Sequence, residues 1–191
     1  MTALINASTS SGVVVTSDTS GSLAFQSNGT SIATISSTGL TMNSGNIVVA
    51  STAAPAFLAY VTTGTPSANT WTKVSCGTKV FDTASAYDAT TNYRFQPTVA
   101  GYYQLNGSIG GNSSATRVTS AFYKNGSGYI YGSDSASTSS VGQVMISAII
   151  YLNGSTDYVE LWGILGTSQP WSQYAGTTIF SMFNGCLIRS A

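Results

Sequence analysis

Histidine is absent from these 191 residues, which removes the commonest general base and the commonest zinc ligand together. Charge is scarce as well: 6% of residues are charged, against about 25% in an ordinary soluble protein. Six Lys/Arg balance six Asp/Glu, so no basic field exists to neutralise a phosphate backbone, and nucleic acid is excluded as a partner. Long apolar runs are missing: VMISAIIYL, residues 144–152, falls well short of the roughly 20 residues that span a bilayer. No membrane insertion is expected. The opening MTALINASTSSGVVV lacks the basic start of a secretory signal, so none is read there.

The cysteines, Cys76 and Cys186, are too few and too far apart for a disulfide framework. They read as two small buried hydrophobes, with a bridge from an early strand to the last one left open. The acids Asp18, Asp82, Asp88, Asp134, Asp157 and Glu160 are dispersed. Only Asp157 and Glu160 are close, and a spacing of three on a strand turns them to opposite faces, which argues against a paired-carboxylate site. No catalytic residue, cofactor or metal is therefore expected, and the chain is not read as an enzyme. Asp82 and Asp88 fit turn caps better than the 6–8 oxygen ligands of calcium. For Asp134, in SDSASTSS, solvation stands beside an ion shared on a threefold axis.

What the chain does have is Ser, Thr, Asn, Gly and strand-like alternation, with no convincing 3.6-residue period anywhere. Residues 1–55 hold one charge, no Trp or Tyr and one Phe, too little to offset the ordering of their own backbone. They are patterned nonetheless. Leu23 and Phe25 alternate, Asn28-Gly29 is a hairpin signal, and Ile32 to Ile35, then Leu40 and Met42, read as further strands. Strands without a core pair with copies of themselves or with a larger neighbour, so this segment is expected to be an attachment or oligomerisation arm. The stretch GSLAFQSNGTSIATISSTGLTM resembles strand-turn segments of bacteriophage fibre and appendage proteins.

Pro55 ends the arm, and a second region is expected over 56–191. Strands are read at 57–62, 71–74, 78–82, 91–96, 101–109, 117–124, 128–132, 141–152, 156–164 and 177–189. Turns are read at Gly64, Asn69, Asp88, Gly101, Asn125-Gly126, Asn153-Gly154 and Asn184-Gly185. Phe95, Tyr103, Leu105, Phe122, Ile146, Leu152, Val159, Leu161, Phe180 and Leu187 are the expected core. Six Asn-x-Ser/Thr triplets, at Asn6, Asn28, Asn106, Asn112, Asn125 and Asn153, are read as by-products of turn composition rather than glycosylation sites.

The segment YDATTNYRFQPTVAGYYQL, residues 87–105, carries a Tyr-Asp turn, then Phe95, Pro97, Gly101 and the pair Tyr102-Tyr103. With Phe57 and Tyr60 before it, and AFYKNG at 121–126, Leu152 with Asp157 to Val159, and Phe183, Gly185, Leu187 and Ile188 after it, the region resembles the C1q/tumour-necrosis-factor-like domain. Pro97 stands one place early, the glycine expected before Asp157 is displaced to Gly154, and Asn184 replaces a common serine. The resemblance implies an all-β jelly-roll sandwich that assembles as a homotrimer. Eleven tyrosines are hard to satisfy in one core, and Tyr60, Tyr102, Tyr103 and Tyr151 are the candidates for a subunit interface.

Glu160 to Gly176 brings Trp162, Trp171 and Tyr174 together with Gln169 and Gln173. Aromatic faces beside amides suit a sugar ring, so Trp171, Tyr174, Gln169 and Gln173 are the candidate glycan or receptor contacts, while Trp162 is read as core. The leading expectation is a non-enzymatic virion protein of a bacteriophage: a trimeric capsid decoration, head fibre or short tail appendage on the virion surface. Its arm, 1–55, would bind capsid or tail proteins. The alternative is the host-recognition tip of a tail fibre that holds a surface glycan or receptor. A secreted C1q-like protein ranks third.

Overall fold

The computed structural model describes residues 21–37, 39–43, 54–111, 115–135, 142–171 and 178–191. Two units are distinct, one within Met1–Ser51 and one within Thr52–Ala191. No helix occurs among the described residues.

In the first unit, β1 (Leu23–Ser27), β2 (Thr30–Ser36) and β3 (Gly39–Met42) form an antiparallel meander. Asn28 and Gly29 close the β1–β2 hairpin at φ 51 and 75, the left-handed pair that a two-residue turn demands.

The second unit has two sheets. One takes the order β12-β9-β14-β4-β6, with β4 (Ala56–Tyr60), β6 (Thr78–Asp82), β9 (Gly101–Gly110), β12 (Gln143–Leu152) and β14 (Met182–Ser190). The other takes the order β11-β10-β13-β8-β7, with β7 (Tyr87–Asp88), β8 (Arg94–Phe95), β10 (Val118–Lys124), β11 (Ser127–Ser135) and β13 (Val159–Leu165); β5 (Thr72–Lys73) also pairs with β13. From β9 onward the chain leaves one sheet for the other and returns, so that, apart from the β7–β8 and β10–β11 pairs, neighbours in space are not neighbours in sequence. That is the signature of a jelly roll.

Alternation drives this arrangement. β12 buries Val144, Ile146, Ile150 and Leu152 and exposes the residues between them. The sheets meet over an aromatic hub in which Phe57 stacks on Tyr87 and Phe95, with centroids 4.8 and 4.5 Å away, and takes the edge of Phe183 at 5.0 Å. Each such ring contributes about 1.5–3 kcal/mol by leaving water. Most of the expected core is there, but Phe180 and Leu187 are only half-buried and Phe183 fills the position between them.

Two of the turn assignments are corrected. Asn125-Gly126 and Asn153-Gly154 do reverse the chain, the second through an Asn153 side chain that accepts from the amides of Ser155, Thr156 and Asp157. Asn184-Gly185 does not: it lies inside β14, as Asn106-Gly107 lies inside β9. The two asparagines face each other across the strands, and the glycines turn inward where a side chain would strike Leu105 or Leu161. Gly101, likewise, opens β9. The cysteines are both free, and only Cys76 is buried, whereas Cys186 is exposed on β14. The sandwich also starts ahead of Ala56, since the Ala54 and Pro55 carbonyls accept from the Thr83 hydroxyl and the Leu187 amide.

Candidate interaction surface

The outward face of the five-stranded sheet follows from the same alternation. β12 sends out Met145, Ser147, Ile149 and Tyr151, β9 sends out Tyr102, Gln104 and Asn106, and β14 sends out Asn184, Cys186 and Ile188. Met145 and Ile149 are 66% and 60% exposed, in a strand whose inward side is shut from water. Tyr102 and Tyr151 are cross-strand neighbours, 5.5 Å between ring centroids. Phe81 of β6 adds a further exposed ring. Apolar exposure of this extent marks a surface that meets another molecule.

A polar stripe divides the face. Gln104 Nε2 donates to Ser147 Oγ at 2.8 Å, Ser147 Oγ to Asn106 Oδ1 at 2.8 Å, and Asn106 Nδ2 to Asn184 Oδ1 at 3.0 Å. Beside it lies a concavity of about 410 Å³ lined by Leu58, Phe81, Met182 and Cys186. Uncharged, internally paired amides can be covered at little desolvation cost while still fixing register.

Of the four candidate interface tyrosines, Tyr102 and Tyr151 stand on this face, and Tyr60 is half-buried on β4 opposite Met182. Tyr103 is a correction. It is fully buried, its hydroxyl donates to Val99 O at 2.7 Å, and burial pushes its pKa up to about 12. Sequence reasoning missed Met145, Ile149, Ile188 and Cys186. Their signal was present in QVMISAIIYL, where the positions facing away from the core are nearly as apolar as those facing it.

The candidate glycan contacts that the structure describes, Trp171 and Gln169, are buried. Trp171 is 2% exposed: its amide donates to Gly64 O at 3.1 Å and its indole packs against Gly64 and Gly163, so it offers no ring face to a ligand. Gln169 is buried too, and Gln173 and Tyr174 lie outside the described residues. Trp162, expected in the core, is half-buried instead. It belongs to an aromatic group on the six-stranded sheet, stacked on Tyr123 at 4.3 Å, with Trp71 bridging Tyr123 at 6.2 Å and Tyr131 at 5.5 Å. Trp162 Nε1 donates to Glu160 at 2.9 Å, and Glu160 pairs with Lys73 at 2.7 Å.

The remaining carboxylates among the described residues are likewise engaged, Asp18 lying outside them. Asp82 pairs with Lys79 and accepts from the amides of Ala86 and Tyr87; although burial opposes it, these partners hold its pKa below the ordinary value. Asp88 accepts from the amides of Thr90, Thr91 and Asn92, which hold it well below the usual carboxylate range. Asp134 pairs with Arg117, and Asp157 with Lys124 and Asn125. Each of these four is tied into an ion pair or a turn, and the Thr90 and Thr119 hydroxyls donate to Asp88 and Asp134.

No protein-family model and no curated protein matches this chain. Solved structures do. The globular domain of zebrafish complement 1qA superposes with a TM-score of 0.54 at 17% identity, covering 72% of this chain and 99% of that one. Murine APRIL gives 0.54 at 9% identity, covering 71% and 100%. The Eiger TNF of S. frugiperda gives 0.54 at 11% identity, covering 72% and 93%. The chain thus carries a C1q/TNF-like jelly-roll fold, and the carboxylates among its described residues are held in ion pairs or turns.

Proposed function

We propose that this chain is a homotrimeric recognition module. Copies meet through the outward face of the five-stranded sheet, and the aromatic group on the other sheet is left to contact a glycan or receptor on an outside surface. The observation that carries this reading is the apolar exposure of Met145, Ile149, Tyr151, Tyr102 and Ile188 on one face, whose one charge is Arg189, set opposite Tyr102 by the bulge in β14. The similar structures include a complement globular domain and a TNF, and a recognition role is consistent with both. Ring faces of Trp71, Tyr131 and Trp162 suit sugar stacking, with Lys73 beside them as a donor. The test is a glycan array and a cell-surface adsorption assay on the whole protein. Binding that falls at least tenfold in Trp71→Ala supports the reading; binding to neither, or binding indifferent to Trp71, refutes it.

One observation favours a second reading. The three-stranded sheet in the first unit is built separately from the sandwich, and residues 19–55 hold no charge, as an arm that docks on a particle would have it. In that reading the trimer is a virion-surface structural protein, a capsid decoration, head fibre or short tail appendage, anchored by residues 1–55 to capsid or tail proteins. Removing 1–55 then abolishes attachment to the particle. A secreted C1q-like protein would show neither particle attachment nor dependence on that segment.

A further inference from the structure

The sheet of the first unit is one-sided. Its register sets Leu23 against Ile35 and Ile35 against Leu40, and in the next row Phe25 against Ala33 and Ala33 against Met42. Residues two apart on a strand share a face, so these six apolar side chains all project from the same side. That side is exposed at its large residues, with Phe25 44% and Leu40 55% exposed, while the small Ala33 between Phe25 and Met42 is covered. The reverse side holds Ala24 and Ile32 but is otherwise polar, with Asn43 Nδ2 donating to Ser31 Oγ at 2.7 Å and to Thr34 Oγ1 at 3.0 Å. A three-stranded sheet needs its hydrophobic face covered to be stable in water.

We propose that this face is covered by the same face of two other copies, closing a three-sided prism with Leu23, Phe25, Ile35 and Leu40 at its centre. The inference rests on the trimer proposed above. Size argues for it: three strands about 4.8 Å apart and roughly 15 Å long present about 200 Å² per copy, so even three copies stay below the roughly 1,200 Å² of a free-standing specific interface. The face cannot recruit a partner from dilute solution by itself. It can meet copies already tethered, because residues 43–55 reach at most about 45 Å and hold the arms of a trimer at roughly millimolar local concentration. Charge argues the same way. Identical faces bring identical charges together, and residues 19–43 contain none to repel.

The test uses the full chain with Cys186→Ser, so that exposed thiols arise only where placed. Ile35→Cys puts a thiol on the apolar side and Thr34→Cys puts one on the polar side. Under a mild copper oxidant, two thiols give up two electrons and two protons to form one intermolecular S–S bond. Ile35→Cys is expected to yield covalent dimers at least tenfold faster than Thr34→Cys, at a rate per chain that does not change on dilution. As a second readout, Phe25→Asp with Leu40→Asp should speed amide exchange in 23–42 at least tenfold while the assembled mass stays unchanged. Equal crosslinking at both positions, or none, overturns the prism even if the protein is a trimer; so does an arm that exchanges slowly without crosslinking, which would place it against its own chain or another protein. A single-chain mass for the unmutated protein overturns the trimer and the prism together.

Discussion

Gly185→Ala tests the packing that gives the interaction surface its shape. Gly185 pairs with Phe57 on one side and Leu105 on the other, at the middle of the five-stranded sheet. An added Cβ would stand 2.9 Å from Gln104 O and 3.2 Å from Phe57 Cε1, and closer still to Leu105 Cδ2. The first of these is backbone and the second belongs to the stacked aromatic hub, so neither yields easily. Overpacking of this kind costs about 1–3 kcal/mol. Replacing glycine in a strand returns about 0.5–1 kcal/mol through the unfolded chain, leaving about 0.5–2 kcal/mol of net destabilisation. At about 2–4 °C per kcal/mol for a chain of this size, melting should fall by roughly 1–8 °C. Calorimetry at matched protein concentration reads it, since assembly makes the midpoint concentration-dependent. Leu105→Val removes the nearest obstacle, so the double variant should recover about 1 kcal/mol relative to the sum of the two single changes. A Gly185→Ala protein as stable as the original, or a double variant that is merely additive, would refute the steric argument.

Burial and hydrogen bonding set three further outcomes. Cys76 is buried, and burial pushes its pKa up to about 12, so at pH 8 it should resist a disulfide reagent, while Cys186 should react at least tenfold faster once Met145→Lys and Ile149→Lys expose its face. Equal Cys186 rates before and after those changes would mean that nothing covers the face. Asp82, Asp88 and Asp157 are held below the ordinary carboxylate value in the folded state, so the stability they contribute is full above about pH 4 and is lost as pH falls through their lowered values. Urea midpoints at pH 7 and pH 3 should show this loss. Asp88→Ala, which strips the acceptor from three turn amides, should cost about 1 kcal/mol at pH 7 and less at pH 3; an equal cost at both would contradict the assignment.

The sandwich was legible because its signals are local. Alternation marked nearly every strand, and Asn28-Gly29 and Asn125-Gly126 marked their hairpins, since a two-residue turn needs positive φ at both positions. The same dipeptide misled at Asn184-Gly185. There the glycine answers to Phe57 and Leu105, which lie far off in the chain, and no local rule sees them. Trp171 sat in a polar stretch and read as exposed, yet its indole fits against Gly64 and Gly163. Tyr102 and Tyr103 show the limit most plainly: one residue of register sends one tyrosine to the surface and the other to the core. The dispersal of the acids was readable from their spacing, whereas the ion-pair partners of Asp82, Asp134, Asp157 and Glu160 required the fold.

The account rests on the outward face of the five-stranded sheet being covered by copies of the chain. Sedimentation equilibrium of the intact protein at low micromolar concentration measures this directly. A mass near three times 19.7 kDa, falling to 19.7 kDa in Met145→Lys with Ile149→Lys while the β-sheet circular dichroism is retained, is the predicted result. A mass of 19.7 kDa for the unmutated protein would contradict it.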